Sequence, residues 1–162
     1  MEAPLVTALL WVCAIGCGAL AGVYLAFSAF VMRALGTMAP TAGVAAMNAI
    51  NACILRSAFL PLFLATTLAA AGLAGWSLWR WETTAAPAIA AGGVIHGLGM
   101  FVVTIACNVP LNDALAASGP ATLEGEALWR RYRRVWTRWN HLRTLACIVA
   151  SALFILALVS RG

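Results

Sequence analysis

The sequence has few charged residues and no Cys-x-x-Cys motif, and both absences exclude classes of protein. Only 9% of the 162 residues are charged and 64% are hydrophobic, whereas about a quarter of residues are charged in soluble domains. The composition therefore excludes a soluble nucleic-acid-binding domain, despite a net charge of +5, and indicates an integral protein of the lipid bilayer. The five cysteines lack local metal-binding spacing, so we expect them to be small apolar fillers.

Four of the long stretches that contain no charged residue are candidates for membrane-spanning helices. They have 30, 23, 30 and 17 residues, and a helix needs about 20 to cross the hydrocarbon of a bilayer. Barrel strands would alternate between apolar and polar residues, and these stretches do not. We therefore predict one all-α domain over residues 1–162, a transmembrane four-helix bundle with spans at about 5–32, 54–79, 86–107 and 142–160.

Two other segments have the periodicity of amphipathic helices at the membrane surface. The first begins at Pro40, after span one, and the second runs from Leu123 into span four. In the second, apolar residues recur every three or four positions and arginines occupy the other faces, an arrangement that suits contact with lipid phosphate. Two prolines are expected to alter the spans: Pro61 should kink span two, and Pro110 should end span three.

Two pairs of glycines four residues apart predict close packing of helices. Gly18 and Gly22 lie in span one, and Gly93 and Gly97 lie in span three. We therefore expect spans one and three to pack closely, although the same pairs also suit a homo-oligomer.

Arginine is distributed unequally between the two sides of the membrane. With four spans, Arg80 and Arg161 face one side, while Arg33, Arg56 and the six arginines of residues 130–143 face the other. Because cytoplasmic loops are enriched in arginine, we expect a protein of the bacterial plasma membrane with both termini outside.

Polar side chains of the spans are predicted to lie at one depth, near the arginine-rich side. Such groups are costly in a bilayer and are often functional. The set is Tyr24, Ser28, Asn48, Asn51, Arg56, Asn108, Asn112, Asn140, His141, Arg143 and Thr144. Each alone is explained by a helix cap, an interfacial anchor or a phosphate contact, but together they predict the wall of a hydrogen-bonded pocket. Asp113 is the expected counter-charge of Arg143 or Arg56.

The two histidines do not fit a haem site with two imidazole ligands. His96 precedes the end of span three by about eleven residues, roughly 16 Å of helix, whereas His141 opens span four on that same side. We expect His96 to form a hydrogen bond with a neighbouring backbone or hydroxyl group. No cofactor is predicted, and metal or haem binding is left open.

Two motifs resemble those of a known family. The sequence Asn-Val-Pro-Leu-Asn at residues 108–112 is followed, after one loop, by Trp-Thr-Arg-Trp-Asn-His-Leu-Arg-Thr at residues 136–144. Together with the four spans and the Asn-rich insert after span one, they resemble the anthrone-oxygenase-like family of small membrane proteins over nearly the whole chain. The resemblance implies a four-helix bundle, and fungal members of the family oxidise polyketide anthrones to anthraquinones with dioxygen and no established cofactor.

The resemblance also implies a set of site residues. The Asn and Arg of the last motif are thought to matter in those oxygenases, which corresponds here to Asn140 and Arg143. We expect His141 to act as the base that removes a proton from an anthrone, while Arg143 and Asn140 stabilise the phenolate. The expected residues for binding a small apolar aromatic ligand are Asn108, Asn112, Asn48, Asn51, Tyr24, Arg56 and Trp136.

The sequence alone leaves three functions open. The first is a cofactor-independent oxygenase of an apolar phenolic or polyketide-like substrate, and the second is a non-catalytic membrane module that packs against a partner. A transporter is a third alternative, although four spans without a discontinuous repeat provide little machinery for alternating access. A filled bundle would favour the packing module, whereas a cavity beside the clustered polar residues would favour ligand chemistry.

Overall fold

Four long apolar helices dominate the computed structural model, which describes residues 3–118 and 122–161. The four helices have the length and composition to cross a membrane: Ala3–Leu35, Phe59–Trp79, Ala86–Ala117 and Glu124–Val159, here called spans one to four. Every regular element in the described ranges is helical. The predicted all-α transmembrane four-helix bundle is therefore confirmed.

Each span packs against two neighbours. Spans one and three both lie against spans two and four, which places spans one and three diagonally across the bundle. The prediction that glycines bring this diagonal pair together is wrong: in the described part of the chain, no atom of another segment lies within 4 Å of where a Cβ would stand on Gly22 or Gly97. Gly93 instead lies against span two, because small residues permit close approach only where neighbouring helices meet.

We expect Gly93→Ala to destabilise the bundle and Gly22→Ala to leave it unchanged. A Cβ on Gly93 would lie 2.6 Å from Ala74 Cβ and 2.8 Å from Ala70 O, whereas one on Gly22 would meet no atom within 4 Å. Overpacking of this kind costs about 1–3 kcal/mol. Thermal unfolding of the purified protein in detergent measures the difference, and equal Tm values for the two variants would contradict the packing described here.

One end of the bundle is covered by a short helix, Pro40–Ile54. Its apolar face is buried through Val44 and Met47, which pack against Trp129 and Tyr132 near the start of the last helix. That last helix runs without interruption from Leu123 to Val159, so the second amphipathic segment is continuous with span four. The helix over residues 40–54 and the start of the last helix together close one end of the bundle, which we call the covered end.

The two prolines do not act as predicted. Span two begins at Phe59, so Pro61 lies in its first turn, where the missing amide donor has no helical acceptor to serve. Span three continues beyond Pro110 to Ala117, after π-helical turns at Gly97–Val102 and Thr104–Asn108. Pro110 occupies the first turn of the helix that follows, Val109–Ala117. The expected kink in span two and the expected end of span three at Pro110 are therefore wrong.

His96 connects three spans in the bundle interior. Its side chain is fully buried, with Nε2 3.2 Å from Thr67 Oγ1 and Nδ1 3.2 Å from Cys17 Sγ. Thr67 donates its hydroxyl proton to Phe63 O, so Nε2 of His96 is the donor to Thr67 and Nδ1 accepts from the Cys17 thiol. The predicted hydrogen bond to a hydroxyl between helices is confirmed.

Candidate functional site

A cavity of about 350 Å³ lies at the covered end, between the helix over residues 40–54, the first residue of span two and spans one, three and four. Most of its wall is apolar, including the aromatic rings of Phe27 and Phe59. Its wall also includes polar side chains and the amphipathic rings of a tyrosine and a tryptophan: Tyr24, Asn48, Asn51, Thr104, Asn112, Asp113, Trp136 and Arg143. The cavity therefore combines an apolar, aromatic interior with a few convergent polar atoms, as small-molecule sites do.

Arg143 is the principal charged group of the cavity wall and is only 5% exposed. Its guanidinium carbon lies 4.4 Å from the centre of the Tyr24 ring and 5.1 Å from that of Trp136. Two of its nitrogens donate hydrogen bonds, to Thr104 Oγ1 at 3.3 Å and to Asn140 Oδ1 at 2.6 Å. Its Nε has no partner among the described residues. Aromatic faces and neutral acceptors thus hold the guanidinium in place.

No carboxylate neutralises Arg143 within the described ranges. Asp113 lines the same cavity, but it forms no ion pair with Arg143 or with Arg56. The prediction that Asp113 is the counter-charge of either arginine is therefore wrong. A buried charge without a partner is strongly unfavourable, and cation–π contacts compensate for only part of that cost. The guanidinium consequently gives its part of the cavity wall a positive charge that suits an anionic ligand group.

Asn140 fixes the position of this guanidinium. Its amide nitrogen donates to Tyr24 O and to Ser28 Oγ, both at 2.7 Å, while its amide oxygen accepts from Arg143. The orientation of the amide is unambiguous, because a guanidinium can only donate and a backbone carbonyl can only accept. Asn140 therefore links span four to the π-helical turn Phe27–Val31 of span one, directly behind the cavity.

Two asparagines of span three hold the aromatic wall. The amide oxygen of Asn112 accepts from Tyr132 Oη at 2.8 Å and from Trp136 Nε1 at 2.9 Å. Since an indole nitrogen can only donate, the amide nitrogen of Asn112 remains available to the cavity. Asn108 is buried and donates to Trp136 O at 3.3 Å, so it supports the wall from behind.

Several buried polar atoms around the cavity have no partner in the described chain. They are Asn48 Oδ1, Asn51 Nδ2, Asn108 Oδ1 and Arg143 Nε. Nine in ten or more buried polar groups in proteins are hydrogen-bonded. Three of these four atoms belong to residues that line the cavity, Asn48, Asn51 and Arg143, so a polar molecule in the cavity, whether ligand or water, is a suitable partner for them.

His141 and Arg56 do not reach this cavity. Both are exposed, and His141 lines a separate groove together with Arg33 and Arg138. The expectation that His141 shares a pocket with Arg143 is not met, because residues two positions apart on a helix point about 200° apart. Asn140 and Arg143 share the buried face of span four, and His141 lies on another.

Thr104 and Phe59 were not expected at the site. Thr104 accepts a hydrogen bond from Arg143 and donates to Met100 O at 2.7 Å. The sequence does contain a signal for placing Thr104 at the site: it lies four residues before Asn108, and residues four apart share a helix face. Phe59 belongs to a mainly apolar helix, and nothing in the sequence distinguishes it from its neighbours.

One known family matches the part of the chain that contains most of these site residues. The sequence model of the family described as anthrone oxygenase matches residues 51–153, more than half of the chain. The chain belongs to the anthrone oxygenase family. The match includes Asn112, Asp113, Trp136, Asn140 and Arg143, but not span one. No curated protein and no solved structure matches the chain.

This family member contains no evident metal centre in residues 3–118 and 122–161. No three His, Cys, Asp or Glu side chains lie close enough together in these ranges to bind one ion. Cys17 and His96 form a pair without a third ligand of this kind. The polar groups of the described residues that line the cavity are amides, the Thr104 and Tyr24 hydroxyls, the Trp136 indole, one guanidinium and one carboxylate.

Proposed function

We propose that this anthrone oxygenase family member oxidises an apolar phenolic anthrone to a quinone inside the cavity at the covered end, without a metal or an organic cofactor. The observation that carries the proposal is the buried guanidinium of Arg143, without an ion-pair partner among the described residues, in the wall of a mainly apolar cavity. Deprotonation of an anthrone creates a planar, delocalised anion. Such an anion needs one positive contact and aromatic surroundings, which the cavity supplies.

The dimensions and chemistry of the cavity support a flat aromatic substrate. Its volume of about 350 Å³ lies within the usual range of about 300–1,000 Å³ for small-molecule sites. Tyr24, Phe27, Phe59 and Trp136 supply aromatic surface. The unpaired amide groups of Asn48 and Asn51, together with the free amide nitrogen of Asn112, suit phenolic oxygens at the substrate edge.

The proposed reaction begins with removal of a proton from the ring methylene. We assign this step to Asp113, an exposed residue that lines the cavity, rather than to His141, which lies outside the cavity. The electron pair of the broken C–H bond moves onto the anthrone oxygen, where Arg143 stabilises the enolate. Proton transfer by a positioned base and electrostatic stabilisation of the resulting anion are both well-established catalytic effects.

Dioxygen then accepts the electrons. One electron passes from the enolate to dioxygen, and the two radicals combine to form a C–O bond and a peroxide anion, which takes up a proton. Loss of the second methylene proton breaks the O–O bond, forms the new carbonyl and releases water. The balance is one anthrone and one dioxygen to one anthraquinone and one water, so no external reductant is required.

Turnover of emodin anthrone by the purified protein tests this proposal. We expect quinone absorbance to rise together with consumption of one dioxygen per quinone, faster than in protein-free detergent. Metal analysis of the same sample should show no stoichiometric iron or copper. A rate equal to spontaneous oxidation would overturn the activity, and stoichiometric metal would overturn the cofactor-independent chemistry.

A non-catalytic packing module is the second candidate. It is favoured by the exposed position of Gly18 and Gly22 on span one, a face that a second copy of the chain would fit. A packing module has no need of a cavity, however, and the unpaired polar atoms around the cavity support ligand binding instead. The turnover assay separates the two candidates.

We further propose that the covered end faces the cytoplasm of a bacterial cell and that both termini lie outside. The support is the excess of arginine at that end, which includes Arg33, Arg56 and the arginines of residues 130–143. A C-terminal alkaline phosphatase fusion should then be active in cells, and a C-terminal green fluorescent protein fusion should be dark. The opposite pair of results would contradict this orientation.

A further inference from the structure

A second, strongly basic groove lies on the opposite side of span four from the cavity. It has a volume of about 480 Å³ and runs between the end of span one and the last helix. The groove is lined by five arginines, one histidine, two hydroxyl groups and a methionine: Arg33, Arg130, Arg133, Arg134, Arg138, His141, Ser28, Thr137 and Met32. No carboxylate of the described chain lines it.

The arginines of this groove are brought together by helix periodicity. Arg130, Arg134 and Arg138 follow each other at intervals of four, and Arg33 from span one faces them. Like charges at this spacing repel each other along a helix. Among the described residues, one ion pair reduces this repulsion, between Arg130 and Glu126 at 3.7 Å. An anion bound in the groove would remove this repulsion.

Two unpaired buried atoms point to a ligand in the same place. Thr137 Oγ1 and Arg133 Nε are both inaccessible and have no hydrogen-bond partner among the described residues. Arg133 is held by its NH1, which donates to Gly36 O at 3.3 Å. A phosphate group accepts hydrogen bonds from hydroxyl and guanidinium donors together, and it therefore matches the groups present.

An apolar furrow lies near the groove on the lipid-facing surface, with one pocket between them. Arg138 also lines a small pocket with Val135, Trp139 and Leu142. Leu142 in turn lines a furrow of about 340 Å³ between spans three and four, together with Leu98, Leu145 and Val149 among others. The floor of the furrow is formed where Gly99 approaches Ala146 closely. A basic groove and an apolar furrow thus lie near each other along span four.

We propose that this surface is a binding site for an anionic phospholipid, with the headgroup phosphate in the basic groove and one acyl chain in the furrow between spans three and four. Basic pockets beside transmembrane helices bind anionic headgroups in this way. A soluble phosphate compound would use the groove but not the furrow. The proposal is independent of the oxygenase function, because neither the groove nor the furrow shares a lining residue with the cavity.

Lipid binding to the full-length protein in a neutral detergent tests the proposal. Native mass spectrometry would measure the bound fraction during titration with dioleoylphosphatidylglycerol. Three comparison ligands separate the contributions: dioleoylphosphatidylcholine has the same chains without net charge, dihexanoylphosphatidylglycerol has the same headgroup with short chains, and inorganic phosphate has no chains. We expect the long-chain anionic lipid to bind at least tenfold more tightly than each of the other three.

Matched arginine variants distinguish a site from diffuse attraction. Arg138→Gln and Arg134→Gln should each weaken binding about fivefold, which corresponds to about 1 kcal/mol per arginine near a membrane surface. Arg131→Gln is the control, because Arg131 is exposed on the same helix and does not line the groove, and we expect less than a twofold change. Equal losses for all three variants, equal binding of the zwitterionic lipid, or equal binding of phosphate or the short-chain lipid would overturn the proposal.

Discussion

Arg143→Met is expected to lower kcat/KM for emodin anthrone at least a hundredfold. The guanidinium is the group that we assign to the enolate oxygen, and loss of one donor to a developing oxyanion typically costs about a hundredfold to a thousandfold in rate. Methionine has a similar length and keeps the space between Tyr24 and Trp136 filled. Quinone formation by the purified variant measures the loss, and Tm shows whether the variant is folded.

Two matched variants make this result specific to Arg143. Arg131→Met removes an exposed arginine from the same helix and should retain the rate of the unmodified protein. Arg143→Lys keeps the charge but loses the planar guanidinium, whose two terminal nitrogens donate to Thr104 and Asn140 at the same time. We therefore expect partial activity. An unchanged rate in a folded Arg143→Met protein would remove Arg143 from the mechanism.

Asp113→Asn is expected to lower kcat by a hundredfold or more while KM changes little. A positioned general base contributes about a hundredfold to ten-thousandfold, and the amide preserves the shape of the side chain but is not basic. Deuterium in the ring methylene should slow the unmodified enzyme, because C–H cleavage is the assigned step. The readouts are the initial rate over a range of anthrone concentrations and the isotope effect on kcat.

His141→Ala is the matched control for the base. His141 belongs to the same sequence motif as Arg143 but is exposed on another face of the helix, so the variant should retain most of the activity. A large loss with His141→Ala and none with Asp113→Asn would reverse this assignment and restore the base suggested by the sequence alone.

The bundle was predictable because its determinants are local in the sequence. Long uncharged stretches indicate the spans. The amphipathic periodicity around Val44 and Met47 indicates that the uncharged stretch between Arg33 and Arg56 is instead the helix that covers one end. Both follow from the cost of placing charge or unpaired backbone in hydrocarbon. The depth of Asn140 and Arg143 followed in the same way, since position along a span sets depth.

The direction in which each side chain points was much harder to predict. His141 and Arg143 lie at similar depth, yet the helix turns them toward different surfaces. The register and diagonal placement of the spans depend on contacts between distant segments, such as Gly93 against Ala74. Pro110 was misjudged because proline is tolerated at the start of a helix that follows a π-helical turn. Depth could therefore be inferred from the sequence, whereas rotation and neighbours required the structure.

The most direct measurement of the central claim is an experimental structure of the protein with emodin anthrone bound in the absence of dioxygen. We expect the ring system in the cavity at the covered end, against Tyr24 and Phe59, with one substrate oxygen about 2.7–2.9 Å from a guanidinium nitrogen of Arg143, the usual length of a charge-assisted hydrogen bond. A ligand found only in the basic groove or on the lipid-facing surface, with the cavity filled by side chains, would contradict the account.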